Sequence, residues 1–160
     1  MAVRMAKSRA KQGGDPYAAG MIPGVPNILR RPLKGRFVGV LKSKRFQRGL
    51  ILIQPKTRCV RKYDIHEIVI TDEMDAAPGG CVDRFFGVGF VEFNSGGVIA
   101  LGDCVMVSGV TVAEIAGFDE THAPNHLNIV LKTPTPKTGI ELGIEPGDPV
   151  TIKPTWRESD

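Results

Sequence analysis

Chemistry is densest in one short stretch. Gly117-Phe118-Asp119-Glu120-Thr121-His122-Ala123-Pro124-Asn125-His126 holds two of the three histidines, two carboxylates, a hydroxyl and an amide. Imidazole nitrogens and carboxylate oxygens suit zinc, manganese and iron. His122 and His126, with Asp119 or Glu120, therefore form a candidate site for a divalent transition metal. Pro124 bars a regular helix across the two histidines, so a loop must bring them together. Histidine also titrates near neutral pH and can serve as a general base. The plainer alternative is a structured turn, with Asp119 and Thr121 capping backbone amides and the histidines packed on neighbouring strands.

A second group is cationic. Arg36, Lys44, Arg45 and Arg48 alternate with apolar residues in strand-like sequence, which would place them on one face as ligands for a small anionic or phosphorylated molecule. Only Phe37 and Phe46 interleave with the basic run, too few aromatics for a single-strand nucleic-acid platform. Through Lys62 the chain carries 16 Lys/Arg and one acid, and the remainder carries 5 and 16. Such a split fits mutual neutralisation, within one chain or between subunits, as well as a polyanion-binding arm. His66 stands alone before an apolar run and reads as structural. Cys104 sits in a strand-like run and reads as a small hydrophobe. Cys81 reads as the exposed thiol, and only a neighbouring histidine would make it a nucleophile.

These residues need elements to position them, and the pattern from Leu33 onward is β. Apolar alternation or short apolar runs mark strands at 37–41, 50–53, 59–63, 65–70, 85–93, 98–101, 105–107, 111–115, 127–131 and 150–152. The Asn94-Ser95-Gly96-Gly97 turn predicts that 85–101 is a hairpin. With 19 Gly and 12 Pro in 160 residues, a helical bundle is disfavoured. No apolar run is long enough to span a bilayer, and the N-terminus lacks a signal-peptide apolar segment, so no membrane partner and a cytoplasmic location are expected. Three cysteines without Cys-x-x-Cys spacing argue against a disulfide or zinc-ribbon scaffold. Gly102-Asp103-Cys104-Val105-Met106-Val107 is echoed 45 residues later by Gly147-Asp148-Pro149-Val150-Thr151-Ile152, which suggests a pseudo-twofold barrel.

The run from His122 to Leu131, and Gly139-Ile140-Glu141-Leu142-Gly143 leading to Gly147-Asp148-Pro149-Val150, resembles the closing segment of the archaeal CTP-dependent riboflavin kinases. Leu33-Lys34-Gly35-Arg36-Phe37-Val38-Gly39 is similar to that family's opening strand. The resemblance implies a small six-stranded cradle-loop barrel. Where that family has a glycine-rich nucleotide loop, this chain has Lys42-Ser43-Lys44-Arg45-Phe46-Gln47-Arg48, and the family's Gly-Thr-Leu-Asn motif is absent. The resemblance therefore carries the barrel and no catalytic residue. Its Gly-Asp-x-Val element also occurs in AbrB-type DNA-binding domains.

The expected fold is all-β: a small closed β-barrel of the cradle-loop, riboflavin-kinase-like type at 33–154. An extended or disordered N-terminal arm occupies 1–32, a C-terminal tail 155–160, and at most one short helical turn lies near 138–142. The expected function is binding of a small anionic ligand at the barrel mouth, with loop 117–126 closing the site. The protein would act as an accessory subunit that joins a second copy or a partner through its arm. A metal-dependent enzyme using His122 and His126, and an AbrB-like nucleic-acid binder, are the alternatives.

Overall fold

The computed structural model describes residues 30–155. Its strands are β1 (Leu33–Val40), β2 (Lys44–Arg45), β3 (Leu50–Ile51), β4 (Thr57–Val60), β5 (Ile65–Thr71), β6 (Cys81–Val82), β7 (Phe85–Phe93), β8 (Gly97–Ala100), β9 (Cys104–Val107), β10 (Val110–Asp119), β11 (Asn128–Lys132) and β12 (Pro149–Lys153). The described residues contain no α-helix, and hence none long and apolar enough to cross a membrane. In β1, Leu33, Gly35 and Phe37 are buried while Lys34, Arg36 and Val38 are exposed, as a two-residue period requires. The unbroken apolar runs of β5 and β11 have another cause. Ile68, Ile70, Ile129 and Leu131 pack into the main core with Phe37, Phe93 and Phe118. Val69 and Val130 face outward into a second core with Leu50, Leu52, Val82 and Phe85. These strands are buried on both faces, so they read as continuous hydrophobic sequence.

The main sheet closes on itself. The order β1-β12-β9-β10-β11-β5-β7 returns to β1 through a further β1–β7 pairing, making a ring of seven strands. Six junctions are antiparallel and only β11–β5 is parallel. An even number of direction reversals lets the ring close without conflict.

The Gly-Asp echo marks a pseudo-twofold relation. β9 and β12 lie side by side, with Val105 opposite Ile152 and Val107 opposite Val150, so exchanging the two echo copies exchanges these pairs. Gly102 and Gly147 adopt φ +82° and +98°, conformations that favour glycine. Asp103 accepts the Ala100 N–H and Asp148 accepts the Glu145 N–H, each at 2.9 Å. Gly102 N–H donates to the Ile115 carbonyl and Ile115 N–H to that of Asp103; Gly147 and Asp148 repeat both bonds with Phe37. β1 thus corresponds to β10. Their ladders even shift register at matching places, Phe37/Gly39 against β7 and Ile115/Gly117 against β11. Three strands (β1, β7, β9) are repeated as three (β10, β11, β12), and β5, which falls between β1 and β7 in the chain and between β11 and β7 in the ring, is the odd seventh. The resemblance implied six strands, and the ring has seven.

Other expectations need correction. Residues 85–101 do not form a hairpin: β8 pairs with β4, Gly97 opposite Val60 and Ala100 opposite Thr57. β7 is already bonded to β5 on one edge and to β1 and β2 on the other, which leaves β8 no place beside it. The predicted strand at 50–53 contributes only Leu50–Ile51 to a ladder, after which Leu52 bonds to Gly80 and Ile53 to Phe118. Near 138–142 the chain makes one helical turn, Leu142 N–H to the Thr138 carbonyl at 2.9 Å. Thr138 and Glu141 cap it reciprocally, Thr138 N–H to Glu141 and Glu141 N–H to the Thr138 hydroxyl. The arm expected at 1–32 falls outside the described residues except for its end. There Arg30 reaches Asp103 at 2.6 Å and Arg31 reaches the Gly96 carbonyl. Of the tail, Thr155 is described, its hydroxyl donating to the Gly102 carbonyl.

Candidate metal centre

Register aligns a row of residues across adjacent strands. Asp119 on β10, Asn128 on β11, Glu67 on β5 and Phe90 on β7 are successive pairing partners, each one strand spacing from the next. Their neighbours on these strands, Phe118, Ile129, Ile68 and Val91, point into the main core, so the row lies on the outer face of the ring. Two residues along β5 and β11, Val69 and Val130 begin the second core, so the polar row abuts an apolar one.

The loop joining β10 to β11 folds back over this row. Its turn is tight, with Ala123 N–H bonded to the Glu120 carbonyl and the Asn125 and His126 N–H groups both to that of His122. Both imidazoles land on one side. His126 Nε2 lies 3.2 Å from Glu67 Oε1, and its Nδ1 lies 3.0 Å from Asn125 Nδ2. The His126 ring stands edge-on to Phe90 at 5.2 Å and stacks on His122 at 4.8 Å with a 29° tilt. Glu67, His122 and His126 each offer one donor atom within 4.8 Å of the others. In a tetrahedral zinc site with bonds of about 2.0–2.1 Å, neighbouring donors are roughly 3.3 Å apart. The Glu67–His126 spacing already matches that edge. His122 is exposed and would close the remaining gap by moving about 1.5 Å or less. Asn128 is buried beside Glu67, and its Oδ1 has no hydrogen-bond partner.

The histidines anticipated from sequence are brought together, but the carboxylates beside them are not. Asp119 is buried and spent on the loop: it accepts the Thr121 N–H at 3.0 Å, the Thr121 hydroxyl at 2.9 Å and an Asn128 amide hydrogen at 3.0 Å. Its role is the turn-capping one. Glu120 faces Arg58 at 2.8 Å. The acid that meets the histidines is Glu67, which sequence reading passed over. A signal for it existed, a lone carboxylate inside Ile65-His66-Glu67-Ile68-Val69-Ile70, where a buried charge demands a partner.

The cations do not form one wall. Arg36 lies opposite Glu92 near one end of β7 and bonds to it at 3.2 Å. Lys44 and Arg45 pair with Phe86 and Phe85 at the other end, about 20 Å away at strand rise. Lys44 also bonds to Glu141 at 3.0 Å, and Arg48 N–H donates to the Asp83 carbonyl. Arg30–Asp103, Arg36–Glu92, Lys44–Glu141, Arg58–Glu120 and Arg61–Asp64 all join the basic part of the sequence to the acidic part. These five pairs resolve part of the charge split inside the chain. Cys81 has Asp83 as its neighbour, and burial together with that carboxylate raises its thiol above the ordinary range, the opposite of nucleophile activation.

His66 packs inward against Phe93, and its Nδ1 accepts the Leu127 N–H at 3.0 Å, so the ring proton sits on Nε2, 3.6 Å from Asp64. Burial holds its pKa below the ordinary 6.5, with Asp64 opposing. Because the folded value is depressed, His66 contributes stability that is complete above the unfolded value and lost as pH falls through the folded one. Urea titrations of wild type and His66→Gln between pH 5 and 8 should show the wild type losing more stability on acidification. Parallel curves would remove this assignment.

A family model described as "Family of unknown function (DUF6917)" matches residues 27–153. No curated protein and no solved structure matches the chain.

Proposed function

Given that the chain belongs to DUF6917, a family of unknown function, we propose that it is a divalent-metal protein whose ligands are Glu67, His122 and His126. The observation that carries this reading is the convergence of three donors, two nitrogens and one carboxylate oxygen, from a strand and a loop that the fold forces together. Two histidines and one carboxylate with a position left to solvent is the composition of catalytic rather than structural zinc sites. The chemistry such a centre supplies is activation of bound water or polarisation of an oxygen. A bound ion would also attract an anionic ligand, which moves that expectation from Arg36, Lys44, Arg45 and Arg48 to the metal centre. The pseudo-twofold triplets support a cradle-loop barrel enlarged by β5, with the centre built where β5 meets the β10–β11 loop.

The test is calorimetric titration of chelator-treated protein with Zn²⁺. We expect one equivalent bound, with Glu67→Gln and His126→Ala each weakening affinity by about 100-fold or more while circular dichroism stays unchanged. Binding should also fall on acidification, because protons compete for the same donors. Absence of uptake, or uptake indifferent to both substitutions, would refute the reading.

A further inference from the structure

We propose that Asn125 is a positioning residue of this centre: its side-chain amide pairs with His126 Nδ1 in both the empty and the loaded site, turning over to suit the tautomer each requires, and so keeps Nε2 aimed at Glu67 and the ion. The inference rests on the metal reading above.

The amide nitrogen of Asn125 can only donate, so its 3.0 Å approach to His126 Nδ1 makes Nδ1 the acceptor. The ring proton is then on Nε2, 3.2 Å from Glu67 Oε1, and that proton occupies the place an ion would take between the two groups. When an ion replaces it, the Nε2 lone pair faces the metal and the neutral ring must carry its proton on Nδ1. The proton moves from one ring nitrogen to the other through water, so His126 releases none on balance. Nδ1–H now needs an acceptor, and metal-bound histidines ordinarily find one in a carboxylate or amide oxygen. A half-turn of the Asn125 amide presents Oδ1 at the position Nδ2 held. Asparagine can serve both states, aspartate only the loaded one, and leucine neither. Asn125 is exposed on the loop, so these replacements leave the ring of strands untouched.

The experiment uses the full chain and Zn²⁺ alone. Asn125→Leu should bind Zn²⁺ about 10-fold more weakly than wild type, and Asn125→Asp should bind at least as tightly. Nitrogen-15 shifts of the metal-free protein supply a readout that a merely structural role would not move. His126 should lack a proton on Nδ1 in wild type and carry one there in Asn125→Asp. If wild type binds Zn²⁺ while both variants match it and the protonation of Nδ1 does not change, the role of Asn125 is overturned and the centre stands. If wild type takes up no Zn²⁺, the centre falls and this role falls with it.

Discussion

Asp103→Ala is expected to destabilise the protein by about 3–5 kcal/mol, the range for breaking a buried ion pair from one side. At this chain length that is a fall in Tm of roughly 10–20 °C in a thermal melt. Asp103 is 1% exposed, and its Oδ2 serves both the Arg30 guanidinium at 2.6 Å and the Ala100 N–H at 2.9 Å. Removing it leaves a mostly buried guanidinium without its counter-charge and a buried donor without an acceptor. The pseudo-twofold supplies an internal control. Asp148 makes the matching turn bond to Glu145 but is half-buried, and among the described residues the guanidinium partner belongs to Asp103 alone. Asp148→Ala should therefore cost only about 1 kcal/mol, one hydrogen bond's worth. Equal losses at the two positions would show that the Arg30 pair contributes nothing.

Gly139→Ala should cost about 3 kcal/mol or more, at or beyond the usual ceiling for overpacking. A Cβ at this position would overlap the Val88 carbonyl oxygen and come within 2.8 Å of Val40 Cγ1. The obstruction is backbone in the middle of β7, so no side-chain rotation relieves it. Gly139 N–H also donates to the Gly87 carbonyl and Ile140 N–H to that of Leu41, so the capped turn at 138–142 is docked on β7 and on the chain leaving β1. A melt within a few degrees of wild type would mean the turn can lift away freely.

Sequence showed strands best where burial is one-sided. β1 alternates cleanly, and the Gly-Asp echo pointed to a symmetry that the hydrogen bonds around Phe37 and Ile115 repeat bond for bond. It misled where pairing depends on distant competition. Asn94-Ser95-Gly96-Gly97 has the composition of a hairpin turn, but turn chemistry says nothing about whether β7 has an edge to spare. The site was half visible for the same reason. His122 and His126 are near neighbours in sequence and their convergence needed only one loop. Glu67 is 59 residues from His126 and arrives by the parallel β5–β11 pairing, which no local pattern announces. Asp119 looked like a ligand because a carboxylate near histidines has two uses, and only the positions of Thr121 and Asn128 decide between them.

The closed circuit of seven strands has a consequence for how this chain behaves in a crowd. Proteins rich in extended structure are prone to fibrous self-association, because an outermost strand offers unsatisfied N–H and C=O groups as a template. Here every strand of the circuit is flanked on both sides, and the small sheets outside it offer strands of only two to four residues. The described residues of the folded molecule therefore offer no long docking rail, and clumping through them has to wait for the circuit to break.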